Sequence, residues 1–211
     1  MAWKPCLNGG KHLKKFSLKF ATRWKESYRL SKLTPLFIDG SYLFDSTTHK
    51  DERGYFREWF KSSTINEFLK REFKVEQANI SKSKKGVVRG IHFSSGPRGQ
   101  AKWVACSAGA LWDVIVDIRP NSPTFGQWDA HELRADDGRS LFISEGLGHA
   151  FLALEEDTVI SYLLSTPYSP SHEHAINPLD PEIGISWPVD NLSLSENDAA
   201  APSLREFLNL P

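Results

Sequence analysis

Between residues 87 and 165 the chain alternates between short apolar runs and turn residues at strand length. The runs are Val87 to Phe93, Ala101 to Ser107, Leu111 to Ile118, Trp128 to Leu133, Ser140 to Ser144, His149 to Glu155 and Thr158 to Ser165. Gly109, Gly126, Gly138, Gly146 and Gly148 are read as turn positions between them. Strands this closely spaced, joined by hairpin-length connections, predict an all-β sandwich or barrel. Ile65, Phe68, Leu69 and Phe73 fall at helical spacing after Ser63-Thr64, which predicts one short helix from Ser63 to Phe73; Ser203 to Leu208 suits a last one. After Ser165, the prolines 167, 170, 181 and 188 argue against central strands, so this tail is expected to lie on the body rather than in it.

The run from Ala110 to Ile118 shows what the interior must accommodate. Trp112, Val114, Val116 and Ile118 share one face, while Asp113 and Asp117 share the other with Leu111 and Ile115. A dry core leaves such carboxylates unpaired at a cost of roughly several kcal/mol each, so the mixed face suits a barrel with a ligand cavity. An edge strand with solvated carboxylates is the alternative.

The 211 residues, 40% hydrophobic, suffice for one globular domain. The formal charge of zero conceals an asymmetry: nine Lys and Arg against Glu26 alone in the first 35 residues leave that segment at +8 and the remainder at −8. An acidic body argues against nucleic-acid binding, and any anionic ligand must be held by a local basic cluster. Residues 1–30 are read as a basic, disordered extension outside the domain at 31–211; a targeting peptide or a partner-binding helix through Phe16, Phe20 and Trp24 are the other readings. Cys6 and Cys106 offer neither a disulfide framework nor metal-ligand spacing, which fits a reducing, cytoplasmic setting. No run approaches the ~18 to 20 apolar residues of a membrane helix, so no membrane association is expected.

Four side chains carry candidate chemistry, and each has a plainer reading. His92 follows Arg89-Gly90, and alternation puts Gly90 and His92 on one face with Arg89 and Ile91 on the other, so that the glycine allows a ligand close to the backbone; alone, the histidine is a packed or surface residue. Lys102, between apolar strand residues, either snorkels to the rim or enters a polar cavity. Tyr162 is a good strand former, and Asp198 by default a solvated tail carboxylate. Together they supply a base, an oxyanion partner and an acid for proton chemistry beside a carbonyl.

Several segments in order then carry a resemblance: Asp51-Glu-Arg-Gly-Tyr-Phe-Arg-Glu58, Gln77-Ala-Asn79, Gly86-Val-Val-Arg-Gly-Ile-His92, Asp113 with Asp117 to Gly126, Glu145-Gly-Leu-Gly-His149, and Asp180-Pro181 with Trp187-Pro188. Over about residues 33 to 205 the chain resembles the dTDP-4-dehydrorhamnose 3,5-epimerases. The basic extension and a short connection between Pro188 and Asp198 depart from that pattern. The resemblance implies a cupin-type jelly roll with a few short helices, an isomerase acting without cofactor or metal on a dTDP-4-keto-6-deoxyhexose at carbons 3 and 5. It implies His92 as base paired with Asp198, Lys102 on the keto oxygen, and Tyr162 as the acid on the opposite face. His149 becomes a pocket histidine, and Asp113 a buried carboxylate orienting His92 or its neighbours. Arg53, Gln77 and Arg89 would hold the diphosphate, with Asn79 beside them; Phe56 and Tyr168 would sandwich thymine and Glu58 read its edge. The segment with Arg53, Phe56 and Glu58 is expected to reach the partner's site in a homodimer.

Three rivals remain at this level. A metal-dependent cupin needs a His-x-His, but Phe93-Ser94 follows His92. A non-catalytic sugar-nucleotide binder would not need base, phenol and lysine together. An epimerase acting at only carbon 3 or carbon 5 differs by placement of groups, which residue identity does not encode.

Overall fold

The apolar runs form two antiparallel sheets with an apolar layer between them, in a computed structural model that describes residues 32–209. The basic extension expected to be disordered lies outside the described residues. With strands numbered in chain order, the larger sheet runs β1 (Lys32–Pro35), β2 (Ser41–Asp45), β10 (Arg139–Ile143), β7 (Lys102–Ala108), β12 (Thr158–Leu164), β5 (Gln77–Ser83). The smaller runs β13 (Glu173–Ala175), β6 (Val88–Ser94), β11 (Leu147–Ala153), β8 (Ala110–Asp117), β9 (Trp128–Arg134). A separate hairpin pairs β3 (Thr48–Asp51) with β4 (Gly54–Arg57). This is the cupin-like β-sandwich expected, and all seven predicted runs are strands, differing by at most two residues at their ends.

Alternation explains the layering. Inward side chains Val104, Cys106, Leu141 and Ile160 meet Leu111, Ile115, Leu133 and Phe151 across the sandwich. The outer face of the larger sheet is covered by helix α1 (Ser62–Leu69), which buries Ile65 and, just after its end, Phe73 against Phe44, Trp103 and Phe142. The sequence ran this helix on to Phe73; it stops at Lys70, which adopts a left-handed conformation (φ 53°), and the Asn66 side chain accepts from the Phe73 N–H at 2.9 Å.

The tail does lie on the body, and it covers something that needs covering. Val114, Val116, Ile91 and Phe93 make the outward face of the smaller sheet apolar, and Ile176, Ile183 and Leu204 from the tail close over it. Two short helices follow, α2 (Glu196–Ala199) and α3 (Leu204–Asn209), the second where Ser203 to Leu208 suggested one.

Two expectations fail here for physical reasons. Gly148 is no turn residue: it lies inside β11, where a Cβ would stand 2.5 Å from Ile91 Cγ2, so its smallness lets β6 and β11 pack. The mixed face of β8 also does not line a cavity. Asp113 and Asp117 are both fully buried in an interior strand, which removes the solvated-edge reading too, and each is satisfied by protein groups. Asp117 accepts from Arg119 Nε at 2.8 Å, from the Arg119 N–H at 3.1 Å and from Thr124 Oγ1 at 2.6 Å, with Ser122 Oγ as a further donor. Burial alone would raise this carboxyl, but those donors hold it well below the usual carboxylate range. Arg119 also reaches the Asp39 carbonyl at 3.1 Å, so one carboxylate staples the 118–126 loop to the β1–β2 connection.

Because the folded carboxyl is depressed, the stability it contributes is present above the unfolded value and is lost as pH falls toward the folded one. Asp117→Asn should cost about 2 to 3 kcal/mol at neutral pH, measured by urea unfolding. The gap between variant and parent should close as pH drops below about 4; a gap independent of pH would show that the charge is not what the loop depends on.

Candidate active site

At one end of the sandwich a cavity of about 390 Å³ opens between the sheets. The larger sheet contributes Gln77, Asn79, Lys102 and Tyr162 to its wall; the smaller contributes His92 and Glu173; the tail adds Tyr168 and Asp198. The four side chains singled out for proton chemistry thus line one space, although 106 residues separate His92 from Asp198.

His92 Nε2 lies 2.7 Å from Asp198 Oδ1. Asp198 is buried on α2, where Ser195 is the N-cap and its Oγ accepts the Asp198 N–H at 3.1 Å. Burial pushes the Asp198 carboxyl up, but the hydrogen bond and charge of His92, then the Ser195 hydroxyl and the Gly90 N–H, bring it below its ordinary value. An ionised carboxylate only accepts, so the proton of this bond sits on His92 Nε2, and in the neutral ring Nδ1 is the nitrogen with a free lone pair.

The strand carrying His92 is not regular. Against β11 the register shifts, with His92 opposite His149 but Arg89 opposite Phe151, so Arg89 and His92 both face inward. Plain alternation had set Arg89 on the other face with Ile91, and the bulge corrects it. The Gly90–Ile91 peptide is cis, and Gly90 has φ 128°. A Cβ on Gly90 would stand 2.4 Å from Ala150 Cβ and 2.6 Å from the His149 carbonyl oxygen. What approaches Gly90 closely is therefore β11, not a ligand, and the result is an N–H aimed at Asp198.

Lys102 does not snorkel. It is 7% exposed, and its Nζ donates to the His92 carbonyl at 3.2 Å. Burial lowers its ammonium to about 8, opposed by the charges of Glu173 and Asp113. His149 Nε2 contacts both oxygens of Asp113, at 3.0 and 2.9 Å. Asp113 therefore bonds His149, the cross-strand neighbour of His92, and not His92 itself. On the opposite wall Gln77 links two neighbours, donating to Asn79 Oδ1 at 3.0 Å and accepting the Tyr168 N–H at 2.7 Å.

The remaining expected binding residues are not at this wall. Arg89 donates to Ser83 Oγ at 3.0 Å and is not among the cavity-lining residues, and His149 is buried beside them. Arg53 pairs with Asp51 on the β3–β4 hairpin, Phe56 is half exposed there, and Glu58 follows it; none lines the chain's own cavity. Glu173 was missed, because a proline-rich tail gave no strand signal for β13, three residues paired with the His92 strand. Its Oε1 is buried and has no hydrogen-bond partner among the described residues. His174, another cavity residue, bonds Ser95 Oγ at 2.7 Å. Among the described residues no three His, Cys, Asp or Glu side chains converge as metal ligands.

Gly90→Ala should destabilise the fold by about 3 kcal/mol, combining overpacking with a disfavoured backbone angle, and should do so more than alanine at Gly146, which would meet only the Arg119 side-chain stem at 3.3 Å. Thermal unfolding of the two variants side by side checks this; equal losses would mean the β6–β11 contact is not the constraint.

Known proteins share this arrangement of sheets and segments. The family profile described as dTDP-4-dehydrorhamnose 3,5-epimerase matches residues 35–206. A dTDP-4-dehydrorhamnose 3,5-epimerase of Mycolicibacterium smegmatis is 52% identical over 172 residues, covering 81% of this chain and 85% of the relative. A dTDP-4-dehydro-6-deoxyglucose 3-epimerase of Streptomyces bikiniensis is 42% identical, covering 81% and 87%. The solved epimerase of Mycobacterium tuberculosis superposes with a TM-score of 0.82 at 42% identity, over 84% of this chain and 90% of that one. The chain belongs to the dTDP-4-dehydrorhamnose 3,5-epimerase family.

Proposed function

We propose that this protein epimerises dTDP-4-dehydro-6-deoxy-D-glucose at carbons 3 and 5 to dTDP-4-dehydro-L-rhamnose, on the route to dTDP-L-rhamnose. The observation that carries this reading is the cavity itself, lined by an imidazole from one sheet and by a phenol and an ammonium from the other. Inversion beside a ketone requires a proton to leave one face and return to the other. His92 Nδ1 removes the proton, and the Asp198 carboxylate steadies the imidazolium that forms. Lys102 holds the enolate oxygen, a contribution of about 3 to 4 kcal/mol for one well-placed donor. Tyr162 returns a proton from the opposite wall. A proton leaves and returns at the same carbon with no change of oxidation state, so the step asks for no electron carrier.

For the nucleotide, Gln77, Asn79 and Tyr168 already line the cavity; Arg89, on β6, reaches β5 through Ser83, and His149 lies on β11 opposite His92. Arg53, Phe56 and Glu58 complete the site from a second copy, which agrees with a hairpin whose aromatic residues Tyr55 and Phe56 are about half exposed and do not line their own chain's cavity. The protein is then a homodimer, and we place it in the cytoplasm; no helix among the described residues is long and apolar enough to cross a membrane.

Incubation with the keto sugar nucleotide in heavy water, followed by NMR, tests the reaction. Deuterium at both carbons 3 and 5 is expected; label at neither position would overturn the reading. Label at carbon 3 alone would favour a single epimerisation, a reading that the 42% identical Streptomyces 3-epimerase keeps in view. His92→Ala should lose all exchange, on the order of 1,000-fold or more, with nucleotide affinity retained. Tyr162→Phe should slow net inversion more than label wash-out.

The pH profile has a defined sign. Lys102 must be protonated to hold the enolate, and burial has lowered it to about 8, so kcat/KM should fall on the basic side near that value rather than near 10.5. In Lys102→Arg the basic limb should move beyond pH 10 while the plateau drops; an unmoved limb would assign it to another group.

Mixing tests the shared site. His92→Ala and an Arg53→Ala/Phe56→Ala variant should each be inactive, and equal mixing should restore roughly one quarter of wild-type activity, since half the dimers are mixed and each has one intact site. No recovery after demonstrated subunit exchange would place the hairpin in its own chain's site.

A further inference from the structure

The His92–Asp198 pair joins a strand of the smaller sheet to a short helix in the tail, and something must fix the distance between the two carriers. The N-terminal side of α2 is moored by backbone hydrogen bonds: the Ser193 carbonyl accepts the Val88 N–H at 2.9 Å, and the Ser193 N–H reaches the Gly86 carbonyl at 2.8 Å. The C-terminal side is held from elsewhere. Beyond β13, Ile176 exchanges two backbone hydrogen bonds with Ile91, each 3.0 Å, directly beside His92. The next residue is Asn177. Its backbone N–H donates to the Pro202 carbonyl at 2.9 Å, and its Nδ2 donates to the Ala199 carbonyl at 3.1 Å, the residue after Asp198. Its Oδ1 accepts the Leu179 N–H at 2.9 Å, which fixes the amide's orientation. Buried Asp180 then accepts the Leu204 N–H at 2.7 Å and holds the following turn of the tail.

We propose that Asn177 is a positioning residue for the proton-transfer pair, setting the reach of Asp198 to His92 by tying the end of α2 to the strand segment hydrogen-bonded beside His92, with Asp180 securing the same tail. This rests on the reading of His92 and Asp198 as the base pair. Asn177 is not among the residues lining the cavity and has no bond to the imidazole, so its route to Asp198 runs through Ala199 and Pro202. Of the other groups around the imidazole, Lys102, His174 and the His149–Asp113 pair are bonded to residues other than Asn177, and Glu173 faces Lys102.

Asn177→Asp is the informative variant, because it keeps the acceptor for Leu179 and removes the donor to Ala199. In protein labelled with 15N-histidine, the His92 Nε2–H proton is assigned by its loss in His92→Gln. In Asn177→Asp that signal should move upfield and broaden, toward its position in Asp198→Asn; a signal unchanged from wild type overturns the proposal. With the keto sugar nucleotide, kcat should fall about 10-fold while KM stays within about twofold, and the same change in an Asp198→Asn background should add nothing. Equal losses in both backgrounds would make Asn177 merely structural and overturn it. Should Asn177→Asp fold poorly, Asp180→Asn, which retains one of the two acceptors, should displace the same signal in the same direction; no displacement there counts against the proposal. If wild-type protein exchanges no label into the sugar, the reading of the reaction fails, while the proton signal still decides whether Asn177 sets the pair.

Discussion

The contact between β6 and β11 is the constraint on which the site depends. Each strand carries one glycine at the point where the other presses closest: Gly90 faces Ala150, and Gly148 faces Ile91. With the two backbones drawn together, the register slips by one residue between His149 and Phe151. That slip turns Arg89 and His92 to the same inner side and leaves the Gly90 N–H pointing at the Asp198 carboxylate. A regular strand would set Arg89 outward among the apolar groups that face the tail, where a guanidinium has no partner.

Charge follows a similar logic. The body is acidic, yet the carboxylates inside it are each given a local donor: Asp117 has Arg119, Asp113 has His149, and Asp198 has His92. Glu173 differs, because one of its oxygens is buried without a hydrogen-bond partner among the described residues, and it faces a lysine that burial has pushed toward neutrality. The Asp117 and Asp113 pairs hold the scaffold, whereas His92, Lys102 and Glu173 border the cavity. This is the pattern expected where buried polar groups serve a ligand rather than the fold.

How much of this was legible in the sequence depends on the range of the interaction responsible. Strands such as Leu111 to Ile118 declared themselves by alternation, a local property, and appear where expected. The burial of Asp113 and Asp117 did not, since a strand's two faces are visible in sequence while the partners across the sheet are not. Gly148 looked like a turn residue because glycine usually signals turns; its actual reason, the methyl group of Ile91, lies 57 positions away. In the site, motif likeness gathered His92, Lys102, Tyr162 and Asp198, and they do line one cavity. Glu173 escaped because β13 is three residues long and sits at a sheet edge, too short for periodicity to register. Arg53, Phe56 and Glu58 are not among the residues lining their own chain's cavity; they lie on or just after a hairpin, and a sequence motif does not carry the distance between that hairpin and the cavity wall.

The tail joins these threads. Ile183 and Leu204 are buried against the outer face of the smaller sheet, and burial of side chains of this size is worth about 1.5 to 3 kcal/mol each. Ordering the few residues around Asp198 costs about 1 to 2 kcal/mol apiece in backbone entropy, which one ion pair to a half-exposed histidine does not offset. The carboxylate is therefore not held in place by its bond to His92. It arrives because hydrophobic burial on either side of it, at Ile176 and Leu204, anchors the chain, and the hydrogen bonds of Asn177 and Asp180 set where the intervening segment falls. A pair assembled this way forms only when the outer apolar layer has closed, so completion of the fold and formation of the His92–Asp198 contact are the same event.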